Sequence, residues 1–386
     1  MKLQAIIAGA LALGFMTNAQ AADGPERARD LGVPFTGVPG PLNAITDVAG
    51  VTVGQETLIR DLKGGKAVRT GVTAILPKGA SSMNSAVFAG MFSLNGNGEM
   101  TGSHWVEESG GLEGPIMITN THSVGVVHDA VIKWRVDHDG ADASGYWWSL
   151  PVVAETWDGH LNDINGFHVE PKHALAALDK AKSGPVAEGN VGGGTGMICH
   201  EFKCGIGTSS RVVPTEDGDF TIGVLVQANY GLRDTLTIAG VPVGQKLRND
   251  RVYSEEDPDA NETGSIIIVV ATDAPLLPHQ LKRLARRAGL GLARVGGTAT
   301  NGSGDIFIAF STAQDAPQAG AMASLKALSN DEMSPLINGT VNAVEEAIVN
   351  ALVGAKDMKG TEGRYAKAID HEALRALLKQ YGRLGE

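Results

Sequence analysis

The sharpest constraint in this chain is one boundary. A polar, acidic stretch over 255–263, with Pro258 inside it, gives way at Gly264 and Ser265 to the unbroken apolar run 266–271. A short apolar run behind turn residues predicts a buried strand, with Ser265 at its first position. Such a strand needs cover, which points to a fold built in layers.

A serine at that edge has two readings. One is an ordinary loop running into a strand. In the other, the chain cuts itself between Gly264 and Ser265, and the serine becomes a new N-terminus. It then carries a hydroxyl nucleophile and an α-amine base on one residue, and an α-amine with a pKa of about 7.7–8.0 takes a proton near neutrality. The stretch 248–264 is the most loop-like inside the chain, so it is the best place for a nick.

The remaining segments fit layers of α and β structure. Short apolar runs at 51–53, 73–76 and 86–89 alternate with turns, and Ile116-Met117-Ile118 reads as another strand. Helical spacing places Val124, Val127, Val131 and Trp134 on one stripe, and 172–181 is a second helix candidate. The stretch 197–211 reads as a hairpin turning near 200–203, and 220–226 as a short buried strand. Pro275 and Pro278 open a helix whose stripe holds Leu277, Leu281, Leu284, Ala285 and Ala288. A strand at 306–310, a loop region with some helical character over 317–335, a strong helix over 341–353 and a terminal helix around 373–378 complete the chain. The order is not a clean βαβ repeat, so mixed sheets are expected rather than a parallel one.

With 386 residues, of which 43% are hydrophobic and 19% charged, the chain can bury a sizeable core in one large domain or two. Its net charge of −11 and scattered basic residues argue against nucleic-acid binding. The small cluster Lys282, Arg283, Arg286 and Arg287 fits the polar face of a helix. Lys2, the apolar run 6–15 and Ala19-Gln20-Ala21 have the form of a secretory signal, so residues 1–21 are expected to be removed and the mature chain to begin near Ala22. That points to the periplasm if the source is a Gram-negative bacterium. No segment reaches about 18 continuous apolar residues, so no membrane span is expected. The two cysteines, Cys199 and Cys204, leave a disulfide across the hairpin and a pair of separate thiols both open.

Among the ten histidines no metal-ligand spacing occurs, so no metal is expected, and no cofactor motif is present. His122 is a candidate for a pocket wall. Gly192-Gly193-Gly194-Thr195-Gly196 lacks the ending of a phosphate loop and reads as a turn or a close backbone approach. Glu155 and Asp158 follow the apolar residues 150–153, where a carboxylate either points into a cleft that suits a free amine or caps a turn. Asn229 sits at a strand end, where its amide can donate to a developing oxyanion or serve the turn at Gly231. Ser303 and Asp305 offer a hydroxyl and a carboxylate two residues apart, fit to orient a nucleophile or to form an ordinary turn.

Taken as a set, Thr119-Asn120-Thr121-His122, residues 150–169, 189–196 and 205–211, Gly264-Ser265 and Ser303-Gly304-Asp305 resemble the bacterial β-peptidyl aminopeptidases and the related L-aminopeptidase/D-amino-acid esterase-amidases. The blocks span nearly all of the mature chain. The resemblance implies an αββα sandwich of the N-terminal-nucleophile kind over 22–386, cut by itself into 22–264 and 265–386. It implies a homo-oligomer, usually a tetramer. It makes Ser265 the nucleophile, Ser303 and Asp305 its supports, Asn229 part of the oxyanion site and Glu155 the partner of the substrate's free amine. Trp157 stands where some relatives have a Tyr whose hydroxyl serves the oxyanion, and an indole offers only an N–H.

On this reading the chain is an exported, self-processed serine aminopeptidase for short peptides and amides, favouring β-amino acids and needing no cofactor. An L-aminopeptidase with D-amidase and esterase activity is the alternative within the family. An acyltransferase like the ornithine acetyltransferases is another, against which export argues. A periplasmic binding protein is the non-enzymatic one, and it would need no cut chain.

Overall fold

The computed structural model describes residues 26–83, 85–138, 148–253, 264–317 and 322–385. The leader expected over 1–21 and the acidic stretch 255–263 lie outside the described residues. The strands are β1 (Thr52–Asp61), β2 (Ala67–Leu76), β3 (Val87–Gly96), β4 (Gly111–Leu112), β5 (Ile116–Asn120), β6 (Val152–Thr156), β7 (Ile198–Cys199), β8 (Phe202–Lys203), β9 (Ile206–Thr215), β10 (Gly218–Asn229), β11 (Ser265–Thr272), β12 (Gly304–Asp315), β13 (Met358–Lys359) and β14 (Tyr365–Ala366). The helices are α1 (Ser103–Ser109), α2 (Val124–Asp137), α3 (Pro171–Asp179), α4 (Val243–Lys246), α5 (Pro278–Arg294), α6 (Met333–Val353) and α7 (His371–Gln380).

Strand β11 explains the architecture. Its side chains alternate in direction, and both sets are apolar. Ile266, Ile268 and Val270 pack with Leu281, Leu284 and Ala288 of α5 and Val344 and Ile348 of α6. Ile267, Val269 and Ala271 pack with Ile75, Ile116, Ile118 and Ala154 of a second sheet. Every residue of the strand is buried, as a central strand covered on both faces must be.

The larger sheet has the order β4-β3-β12-β11-β10-β9, and the smaller one β1-β2-β5-β6. In the larger sheet β11 and β12 run parallel while β10 and β11 run antiparallel; in the smaller, β5 and β6 run parallel while β1 and β2 run antiparallel. The outer face of the smaller sheet, with Val72, Ala74, Met117 and Val153, is covered by Val127 and Val131 of α2 and Ala174 and Ala177 of α3. The result is an αββα sandwich of two mixed sheets between helix layers.

Several boundaries differ from the sequence reading. Strands β10 and β12 extend well beyond their apolar cores because their outer ends pair along the sheet edges. Helix α6 begins at Met333, inside the stretch read as a loop, because Pro335 lies in the first turn, where a missing N–H costs nothing. The hairpin is short: β7 and β8 turn at His200 and Glu201, and β9 leaves to pair with β10. Cys199 and Cys204 form a disulfide with Cα atoms 5.4 Å apart. The glycine run is a close backbone approach. A Cβ on Gly193 would lie 2.1 Å from Gln227 Oε1 and 2.7 Å from the Ile118 carbonyl, so only glycine fits between the two sheets there. Among the described residues no helix is long and apolar enough to cross a membrane.

Candidate active site

The site forms where three strand ends of the large sheet meet one strand end of the small sheet. Ser265 opens β11, directly opposite Asn229 at the end of β10 and beside Gly304 at the start of β12. The register places Ser265 on the face that Ile267 shares, toward the other sheet. Across that gap, Glu155 is the penultimate residue of β6, and Trp157 follows the strand. A cavity of about 420 Å³ opens between them, lined by Asn97, Gly98, Glu99, Thr121, Glu155, Trp157, Gly264, Ser265 and Gly302.

The bond before Ser265 is held by one donor. The backbone N–H of Gly304 donates to the Gly264 carbonyl oxygen at 3.0 Å and to Ser265 Oγ at 3.2 Å. A donor on a carbonyl oxygen withdraws electron density from its carbon, and here the same donor fixes the adjacent hydroxyl. Ser303 Oγ donates to Asp305 Oδ1 at 2.9 Å, and both residues are buried. They flank Gly304 without lining the cavity, and Asp305 pairs with Ile266, the neighbour of Ser265. Asn95 Nδ2 donates to the carbonyls of Thr300 and Ser303, and Asn97 Nδ2 to that of Gly302, so two amides from β3 and its exit hold this loop.

Asn229 is buried and fully oriented. Its Oδ1 accepts from the Ile198 N–H at 2.9 Å, and its Nδ2 donates to the Trp157 carbonyl at 2.9 Å. A carboxamide nitrogen carries two hydrogens, so one N–H remains for another acceptor. The Trp157 indole folds back over Gly159, where a Cβ would lie 2.5 Å from the ring.

Glu155 is only 3% exposed, and both of its oxygens accept hydrogen bonds. Oε1 takes the Glu99 N–H at 3.0 Å and Oε2 the Thr121 hydroxyl at 2.5 Å. Burial pushes its carboxyl above the usual range, against the pull of those two donors, and the Glu99 carboxylate adds to the upward push. A buried carboxylate facing an open cavity, with no cation among the described residues that line it, is arranged to receive one from outside. Asp158, three residues on, has the other fate. It is fully buried outside the cavity, bonded to Asn162 Nδ2 at 3.0 Å, and burial raises its carboxyl to about 7.

Of the residues singled out in the sequence, Glu155, Trp157, Gly264 and Ser265 meet in the cavity. Asn229, Ser303 and Asp305 lie against Ser265 and its neighbour through the sheet register. His122 stacks on Phe167 beside the cavity wall at Thr121, with ring centroids 5.8 Å apart. Sequence reasoning missed Asn95, Asn97, Glu99 and the Gly304 N–H. Backbone donors and loop residues carry no local signal, and only the pairing of β3 with β12 brings them to the site.

The sequence pattern of peptidase family S58 matches residues 43–366. The chain is 52% identical over 399 residues to the β-peptidyl aminopeptidase BapA of Sphingosinicella microcystinivorans, covering 100% of this chain and 98% of that one. Among solved structures it is similar to the L-aminopeptidase D-Ala-esterase/amidase of Ochrobactrum anthropi, a serine aminopeptidase described as a variant of the Ntn hydrolase fold. That match has a TM-score of 0.87 and 52% identity, covering 93% of this chain and 99% of the other. A β-aminopeptidase of Burkholderia sp. matches with a TM-score of 0.85 and 48% identity, covering 92% and 99%.

Proposed function

Because the chain belongs to peptidase family S58 and has the Ntn hydrolase fold, we propose that it is an exported serine aminopeptidase that activates itself by cutting the Gly264–Ser265 bond. The observation that carries this reading is the Gly304 N–H, which reaches both the carbonyl to be attacked and the hydroxyl that would attack it. Ser265 Oγ adds to the Gly264 carbonyl carbon, the C–N bond breaks, and the nitrogen keeps the proton lost by the hydroxyl. The resulting ester is hydrolysed by water, giving the Gly264 carboxylate and a Ser265 with a free α-amine. The products are the fragments 22–264 and 265–386.

In the cut enzyme the same oxygen attacks the first amide carbonyl of a substrate. The Ser265 α-amine, or Ser303 with Asp305, takes the proton and returns it to the leaving amine. The free N–H of Asn229, with backbone N–H groups, stabilises the oxyanion. Glu155 pairs with the substrate's ammonium and so restricts the reaction to N-terminal residues. Water then releases the acyl group. The leader pattern at residues 1–21 supports export to the periplasm. Assembly as a homotetramer belongs to the proposal on the strength of the family resemblance.

We assign a preference for β-amino acids, supported by the likeness to BapA. A second reading, an L-aminopeptidase with D-amidase and esterase activity, is favoured by the equal identity to the Ochrobactrum enzyme. Hydrolysis of β-homoalanyl, L-alanyl and D-alanyl p-nitroanilides side by side separates them. Rates on the L-α substrate equal to or above those on the β substrate would overturn the β assignment and leave the mechanism standing.

A further inference from the structure

Asn229 can serve an oxyanion only while its carboxamide is held, and the two groups that hold it belong to separate segments. The Ile198 N–H of β7 fixes Oδ1, and the Trp157 carbonyl, just past β6, takes one N–H of Nδ2. A carboxamide is planar, so a shift of either partner turns the remaining N–H away from the place it would serve.

Lys203 connects those two segments. It faces Ile198 in the β7–β8 pair and is 0% exposed. Its Nζ donates to the Met197 and Cys204 carbonyls at 2.6 Å each and lies 3.5 Å from the Gly194 carbonyl of the glycine run. Met197 directly precedes Ile198. On the other side stands Asp158, the residue after Trp157. Burial pushes the Lys203 ammonium well below the usual lysine range, and the Asp158 carboxylate opposes that push. The two segments also touch directly, where the Thr156 hydroxyl donates to Met197 Sδ at 2.9 Å.

A buried ammonium carries a desolvation cost, and the hairpin does not need one to close. Strands β7 and β8 pair, the Cys199–Cys204 disulfide ties them, and the Met197 carbonyl already accepts the Cys204 N–H at 3.1 Å. What Lys203 adds is one charged centre, bonded to the residue before one partner of Asn229 and attracted to the residue after the other.

We propose that Lys203 is a positioning residue for Asn229. It fixes the Ile198 N–H relative to the Trp157 carbonyl and so aims the remaining Asn229 N–H at the oxyanion. The inference rests on the oxyanion role proposed for Asn229. Lys203 does not line the cavity, so it acts on the transition state through Asn229 and leaves substrate binding alone.

The test is steady-state hydrolysis of an aminoacyl p-nitroanilide, per mole of chain beginning at Ser265. The chains compared are wild type, Asn229→Ala, Lys203→Met and Lys203→Gln, with each Lys203 variant also combined with Asn229→Ala. Methionine fills the space without a donor, and glutamine, one bond shorter, keeps an amide N–H. Small misplacements of a reacting group cost about tenfold or more, so Lys203→Met is expected to lower kcat at least about tenfold with KM within about threefold of wild type. Lys203→Gln is expected to lose less, but more than about threefold. In the Asn229→Ala background either substitution is expected to cost less than about threefold, because the group it positions is gone. A soluble, cut Lys203→Met with wild-type kcat overturns the proposal. The same loss with and without Asn229 would mark a merely structural role and also overturns it. If Lys203→Met is insoluble or stays uncut, Lys203→Gln decides on its own threefold threshold and the same cycle. Failure of both to fold or cut would mean that Lys203 holds the fold as a whole, and the proposal falls. If Asn229→Ala alone leaves kcat unchanged, the oxyanion role of Asn229 is refuted and this inference with it; if Asn229→Ala lowers kcat and Lys203→Met does not, only the role of Lys203 is refuted.

Discussion

Replacing Glu155 by glutamine removes one charge from the cavity and little else. The glutamine has the same shape. Its carbonyl can keep the Glu99 N–H, and its amide can donate to the Thr121 hydroxyl, which rotates to accept. The folded protein should lose no stability near pH 7–8, because burial penalises the native carboxylate. Substrate binding should suffer. Opposite charges about 4 Å apart at an effective dielectric near 20 attract by about 4 kcal/mol. Roughly half of that is offset by desolvating the ammonium, leaving about 2 kcal/mol. At 1.36 kcal/mol per tenfold, this is about a 30-fold loss in kcat/KM, mostly in KM. The assay is hydrolysis of a free-amine aminoacyl p-nitroanilide beside its N-acetyl analogue. Wild type should prefer the free amine strongly, and Glu155→Gln should lose most of that preference. An unchanged preference for the free amine in a folded, self-cleaved Glu155→Gln would refute the assignment of Glu155 as the ammonium's partner.

Other outcomes follow from the same geometry. Asn229→Ala should lower kcat by about 10²–10³ if its remaining N–H holds the oxyanion, with a smaller change in KM; steady-state kinetics on the cleaved fraction check this. Because the Glu155 carboxyl is raised, kcat/KM of wild type should fall on acidification through a pKa above the ordinary carboxyl range, and Glu155→Gln should lack that limb. Asp158 gives a stability prediction. Its folded pKa of about 7 lies above the unfolded 3.8, so the neutral form stabilises the fold below the unfolded pKa, and that contribution is lost as pH rises through the folded one. The melting temperature of Asp158→Asn relative to wild type should therefore climb from pH 4 to pH 7 and level off above. A flat difference would show that Asp158 does not titrate as its burial requires.

The layers were legible because apolar runs carry them. The stretch 266–271 predicted β11, and the stripe through Leu281, Leu284 and Ala288 predicted α5; both are present with those residues buried. The hairpin was legible in place, turning near 200–203 as read, but the left-handed backbone of His200 and Glu201 was not, since neither is a glycine or an asparagine. The site was legible in part. Glu155 and Asp158 looked equivalent as carboxylates after one apolar run, but Glu155 lies within β6 and lines the cavity, while Asp158, past the strand's end, is buried outside it. Asn229 and Ser265 were separate strand ends in the sequence, and pairing of β10 with β11 sets them opposite each other. The Gly304 N–H, which reaches both the Gly264 carbonyl and Ser265 Oγ, has no sequence signature, because every non-proline residue has such a donor.

The central claim is that the Gly264–Ser265 bond is cut by Ser265 itself and that cutting creates the active enzyme. Mass spectrometry and N-terminal sequencing of the purified protein test it most directly, with Ser265→Ala as control. The expected result is an active wild type containing a chain that begins at Ser265, and an inactive variant that remains one uncut chain. An active wild type whose Gly264–Ser265 bond is intact would contradict the account.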